Sequence, residues 1–134
     1  MPLVRIDVNQ GRSAEELAAI SRAIHDAIVS EYEIPERDYF HILTEHPEAQ
    51  IVAQDAGLGF ERSLDVIMIQ IFTQAGRSQP AKQSLFAAIA EKLAAQGVAG
   101  EDVFIGYVEN TAGDWSFGFG QAQYVTGELG VPGK

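Results

Sequence analysis

Gly11-Arg12-Ser13 and Gly76-Arg77-Ser78 are one tripeptide repeated sixty-five positions apart, and the pair decides the fold. Ahead of each copy lies an alternating segment. Val4, Ile6 and Val8 have Leu3, Arg5 and Asp7 among them in the first; Ile67, Ile69 and Ile71 have Met68, Gln70 and Phe72 in the second. Period two is the spacing of a strand with one buried face. Behind each copy the period becomes helical. Leu17, Ile20, Ile24 and Ile28 form an apolar stripe, and the same offset carries the last three onto Leu85, Ile89 and Leu93. Further on, the offset falls to sixty-four: Ile34, Asp38, Phe40 and Glu45 align with Val98, Asp102, Phe104 and Glu109. One residue is missing at the end of the second helix.

The chain therefore reads as two β-α-β units, an α+β fold. Strands are expected at about 3–8, 39–44, 65–73 and 103–109. Ser13 and Ser78 stand where helix N-caps belong, Glu16 completes a capping box with Ser13, and Gly97 suits the residue just past the second helix. A strand–helix–strand crossover of this length implies parallel pairing. Two such units give a four-stranded mixed sheet with two helices on one face. The other face keeps alternate apolar residues, and no element remains to cover it, so an oligomer is expected. Residues 1–130 are expected as a single domain, with units at 2–62 and 63–109 and an aromatic, glycine-rich segment at 110–130 forming a C-terminal hairpin. Residues 131–134 are expected to be a flexible tail.

A chain of 134 residues holds one core without staples. It contains no cysteine, which excludes disulfides, thiolate nucleophiles and cysteine-ligated metal. A net charge of −10 argues against nucleic-acid and anionic-membrane partners. No apolar run has the length of a membrane span, and MPLVRIDVNQ lacks a signal-peptide core, so a cytoplasmic protein is expected. His25, His41 and His46 show no helical i, i+4 pairing, and no metal site follows from them. The glycine pairs at 57/59 and 118/120 do not open a helix after a strand, which disfavours a dinucleotide loop.

Pro2 follows Met1, and a small second residue favours removal of the initiator. That would leave a secondary amine at the start of the first strand. A free α-amine titrates near 7.7–8.0, so modest burial or a nearby charge makes it an acid or base at neutral pH.

The strand Pro2-Leu3-Val4-Arg5-Ile6-Asp7-Val8, the Gly11-Arg12-Ser13 turn and the duplicated unit resemble the tautomerase superfamily. The strings Asp55-Ala56-Gly57-Leu58-Gly59-Phe60-Glu61-Arg62-Ser63, Glu109-Asn110-Thr111-Ala112-Gly113-Asp114-Trp115-Ser116-Phe117-Gly118 and Thr126-Gly127-Glu128-Leu129 resemble its malonate semialdehyde decarboxylase-like branch. The likeness spans about residues 2–129. It implies a homotrimer with sites at subunit edges, a small carboxylate substrate, and no cofactor or metal. By the same resemblance Pro2 is the catalytic amino-terminal proline, Asp38 a carboxylate that places and activates water, Arg77 the substrate-carboxylate anchor, and Trp115 and Phe117 an apolar pocket wall. The loop Thr73-Gln74-Ala75-Gly76-Arg77-Ser78 carries one arginine where decarboxylases of that branch carry two. That difference favours keto–enol tautomerisation of a 2-oxo or 3-oxo acid, with decarboxylation or hydration as the alternative. Two other classes share the element order: a ferredoxin-like βαββαβ module, and a trimer that binds a small ligand without catalysis.

Overall fold

The computed structural model describes residues 2–131. The tail expected at 131–134 lies outside the described residues except for Val131, which is exposed. The elements run β1 (Leu3–Asn9), α1 (Ala14–Tyr32), β2 (Phe40–His46), β3 (Ile67–Gln74), α2 (Gln79–Ala94), β4 (Val103–Asn110) and a one-turn helix α3 (Gln123–Thr126). The sheet order is β2-β1-β3-β4. Pairing is parallel within each unit and antiparallel at the β1–β3 seam that joins them.

The two periodicities of the sequence meet in one core. Val4, Ile6 and Val8 of β1 and Ile67, Ile69 and Ile71 of β3 are buried beneath Ile20, Ile24 and Ile28 of α1 and Leu85, Ile89 and Leu93 of α2. Each fully buried side chain of this size contributes roughly 1.5–3 kcal/mol, so these stripes hold both helices on one face of the sheet.

Both helices begin at the serines of the repeat. Ser13 Oγ accepts from Glu16 N at 3.1 Å while Glu16 Oε1 accepts from Ser13 N at 2.9 Å, a full capping box. Ser78 Oγ accepts from Ala81 N at 3.2 Å, with Pro80 in the first turn where its missing N–H costs nothing. α2 ends in a Schellman pattern: Gly97 N donates to Ala94 O, Val98 N donates to Leu93 O, and Gly97 takes φ +85°. α1 ends with a non-glycine, Glu33, at φ +52°.

The face away from the helices stays open. Phe40, Ile42, Phe104 and Val108 are exposed there. His46 Nε2 and Asp7 Oδ1 pair at 2.7 Å on the same face. No helix among the described residues is long and apolar enough to cross a membrane.

The C-terminal segment departs from the expected hairpin. A 3-10 turn at Ala112–Asp114 leads to a single bridge between Gly118 and Gln121, and then to α3. A buried side chain takes the bonds a second strand would have made. Gln123 Oε1 accepts from Phe117 N at 2.9 Å, and Gln123 Nε2 donates to Gly118 O at 2.8 Å. With the backbone satisfied in this way, no ladder forms.

Candidate active site

The register brings the start of β1 to the end of β3. Leu3 pairs with Phe40 on one side and with Phe72 on the other. One position outward, the buried Pro2 therefore lies between the strand positions of Tyr39 and Thr73.

Arg77 enters from the turn after β3. Gly76 at φ +130° lets the chain reverse there, a conformation L side chains rarely adopt. The arginine is only 9 % exposed. Its Nη1 donates to Thr73 Oγ1 at 3.0 Å, and its guanidinium lies 4.4 Å above the Tyr32 ring. The Tyr32 hydroxyl is in turn held by the Tyr107 hydroxyl at 3.1 Å. Nε and Nη2 have no partner among the described residues. These two nitrogens form the side-on edge that grips a carboxylate with two parallel bonds. Both nitrogens are buried, a buried donor left unmet costs about 1–3 kcal/mol, and a carboxylate reaching this edge would satisfy the two together.

Asp38 sits in the loop entering β2, its N–H donating to Pro35 O at 3.0 Å. Burial raises its carboxyl above the usual range; the positive amino terminus and His25 offset that rise in part. No donor among the described residues bonds the carboxylate. Its repeat partner Asp102 is 4 % exposed and accepts from Ser63 N at 2.7 Å and Ser63 Oγ at 2.6 Å. One of the duplicated aspartates is a tether, and the other stands free.

Trp115 and Phe117, expected as a pocket wall, lie together in an aromatic cluster. Their rings stack with centroids 6.0 Å apart, and Phe117 meets Phe40 at 5.7 Å and the Tyr124 ring edge-on at 5.2 Å. Trp115 Nε1 donates to Asn110 Oδ1 at 3.0 Å, which anchors the wall to the end of β4.

Tyr124 belongs to the same cluster. Burial and the Asp38 charge push its phenol up to about 12, partly opposed by Arg77. Its hydroxyl is buried without a partner among the described residues and stays protonated, a donor within the electrostatic reach of both groups. In the sequence Tyr124 falls within the aromatic, glycine-rich segment at 110–130 with no motif of its own. Its nearness to the tightly spaced Trp115 and Phe117 was the available signal. Thr73 and Tyr32, which orient Arg77, gave no signal, because each reads as an ordinary strand or helix residue.

His25, His41 and His46 are dispersed: His25 under the loop of Asp38, His41 on β2 and His46 on the open face. Among the described residues no group of three or more potential ligands could hold a metal ion.

Comparison with known proteins places the chain in a family. Two models of the family described as "Tautomerase enzyme" match residues 38–118 and 2–61. A probable tautomerase of Bacillus subtilis (strain 168), YrdN, is 36% identical over 96% of this chain and 100% of its own. The crystal structure of FG41 malonate semialdehyde decarboxylase inhibited by 3-bromopropiolate is 58% identical, with a TM-score of 0.95 over 97% of this chain and 99% of that one. A fused 4-OT wild-type symmetric trimer, 24% identical with a TM-score of 0.76 over 93% of this chain and 98% of that one, shares the fold. With the duplicated β-α-β sheet and these matches over almost the whole chain, the protein belongs to the tautomerase family and is an enzyme of its malonate semialdehyde decarboxylase-like branch.

Proposed function

We propose that Pro2, made the amino terminus by loss of Met1, is the acid/base group for a small 2-oxo or 3-oxo carboxylic acid. The observation that carries this reading is the buried Nε/Nη2 edge of Arg77, without a partner among the described residues, on an arginine fixed to Thr73, the β3 neighbour of Pro2 in register. Arg77 grips the substrate carboxylate. The proline nitrogen takes the proton from the enol oxygen and returns it to the adjacent carbon, giving the keto acid. The Tyr124 hydroxyl donates to the oxygen where negative charge collects. The stack of Trp115, Phe117 and Phe40 lowers the local dielectric and strengthens each of these interactions. Acid/base placement of this kind contributes about 10²–10⁴-fold. No step calls on a cofactor or metal.

Decarboxylation of malonate semialdehyde is the second reading, favoured by the 58% match to a decarboxylase. In that reaction protonated Pro2 polarises the aldehyde carbonyl, the bond to the carboxylate breaks, and its electron pair moves into the enolate as carbon dioxide leaves. The enolate carbon then takes a proton. Asp38 orders a water at the same position, which allows hydration as well. The open face carrying Phe40, Ile42, Phe104 and Val108 supports assembly as a homotrimer, as in the fused 4-OT relative.

Intact mass before and after incubation with a small 2-oxo acid and borohydride tests the amine. Loss of Met1 with one adduct per chain at Pro2 is the expected result. Retained Met1 with no adduct overturns proline catalysis. Turnover of the enol of phenylpyruvate and of malonate semialdehyde, by wild type and Pro2→Ala, then ranks the two reactions. Sedimentation giving any mass other than three chains rejects the trimer.

A further inference from the structure

We propose that His25 is a positioning residue that holds Asp38 in place by gripping the loop on both sides of it. The inference rests on the role given to Asp38 above. His25 is fully buried on the inner side of α1. Its Nε2 lies 2.8 Å from the carbonyl oxygen of Glu36. A carbonyl only accepts, so Nε2 carries the hydrogen and donates it. The ring stacks on Tyr39 with centroids 3.8 Å apart and planes 16° apart. Glu36 and Tyr39 flank Asp38 two residues before and one after, and one imidazole fixes both.

The same turn of α1 reinforces this grip. Arg22 donates to the Glu36 carboxylate, and its guanidinium lies 4.8 Å above Tyr39. Ser21 Oγ bonds the Tyr39 hydroxyl at 2.8 Å and His41 Nδ1 at 2.9 Å. Three residues of one helical turn thus converge on the segment that presents the carboxylate.

Two observations separate this role from plain packing. The Nδ1 of His25 is buried with no partner among the described residues, a cost an apolar side chain would avoid. In addition, the repeat has Ala90 at the corresponding position of α2, although the two helices bury matching stripes. The second unit needs no such grip, because Ser63 holds Asp102 directly. The histidine occurs only in the unit whose aspartate must be held without being bonded.

The test uses the full chain with malonate semialdehyde and the enol of phenylpyruvate as probes. His25→Phe keeps a ring to stack and loses the donor; His25→Gln supplies an N–H near the same point. Displacement of a reacting group by about 1 Å costs up to roughly 10²-fold. The expected result for His25→Phe, with the probe that Asp38→Asn impairs most, is a fall in kcat of at least about tenfold with KM changed less than about twofold. His25→Gln should recover most of that loss. In the Asp38→Asn background, His25→Phe should add nothing further, because both changes act through one carboxylate. Melting temperatures of all variants are measured alongside. If Asp38→Asn lowers kcat but His25→Phe leaves it within twofold, the positioning role is wrong. It is equally wrong if kcat and KM fall together with stability and His25→Gln rescues neither. If Asp38→Asn itself leaves both activities intact, the reading of Asp38 fails first and takes this inference with it.

Discussion

The two Gly-Arg-Ser turns lie at opposite ends of the sheet, because the strands they follow are antiparallel, and they meet different surroundings. At the first turn, the linker ahead of β3 passes close by. Leu64 O accepts from Asn9, Asp65 O accepts from Arg12 Nη2, and Ser63 holds Asp102. A cavity of about 380 Å³ remains there, lined by Arg12, Glu16 and Asp65. There the linker carbonyl of Asp65 occupies the arginine. At the second turn, a cavity of about 320 Å³ is lined by Arg77 together with Glu31 and Glu33, and the Nε and Nη2 of Arg77 are buried without a partner among the described residues. Duplication supplied two arginines and two aspartates in matching positions. Tertiary neighbours bonded Arg12 and Asp102 to the linker and left the Nε and Nη2 of Arg77 and the carboxylate of Asp38 without a partner among the described residues.

The strongest way to break this comparison is to remove each arginine in turn. Two charge-assisted bonds of about 1.5–3 kcal/mol each are at stake at Arg77. Arg77→Ala should therefore lower kcat/KM by roughly 10²–10⁴-fold, and Arg12→Ala should leave it within about twofold. Equal losses in steady-state kinetics would mean that both turns bind substrate.

The aspartates should divide the opposite way in stability. Asp102→Ala deletes both bonds to Ser63 and should cost about 2–4 kcal/mol, read from the shift of the urea midpoint. Asp38→Ala should hardly move the midpoint while reducing turnover. A comparable stability loss at both positions would make Asp38 a structural residue.

The helix ends sharpen the comparison at smaller scale. Glu33 and Gly97 occupy the same repeat position, at φ +52° and +85°. A side chain in that region costs about 1–2 kcal/mol. Glu33→Gly should stabilise by about 0.5–1 kcal/mol, and Gly97→Glu should destabilise by about 1 kcal/mol. The second effect is backbone strain alone, because a Cβ at Gly97 would meet nothing within 4 Å. Thermal melts that show no difference would indicate that the αL conformation at Glu33 is relieved by its surroundings.

The smallest effect concerns pH. Burial raises the Asp38 carboxyl in the folded state, so folding favours its protonated form. Stability from this group is present below the ordinary carboxylate value of 3.8 and is lost as pH rises through the higher folded value. Asp38→Asn should be slightly more stable than wild type at pH 7, and the gap should close on acidification. A gap that widens in acid would mean the carboxylate is stabilised, not strained, by its site.

Much of the fold was legible because its signals are local and periodic. The stripe Ile20, Ile24, Ile28 and its copy needed only helical spacing, and Ser13 and Ser78 needed only the first turn of each helix. The C-terminal segment was not legible. The bonds that replace the expected hairpin come from the side chain of Gln123, and no periodicity records where a glutamine amide will fold back. The site was legible in part. Arg77, Asp38, Trp115 and Phe117 stood out through the repeat and the family resemblance. Tyr32, Thr73 and Tyr124 did not, because what they do depends on residues far along the chain that reach them only in the fold.

By itself the sequence determined two β-α-β units, their caps, the stripes that bury them and the residue types at the two turns. These follow from spacing, since hydrogen bonding within a helix and burial across a strand are set by neighbours a few positions away. The tertiary structure decided which arginine edge and which aspartate carboxylate lack a partner among the described residues. That choice depends on the antiparallel seam between β1 and β3, which sends the linker to one end of the sheet and Pro2 to the other.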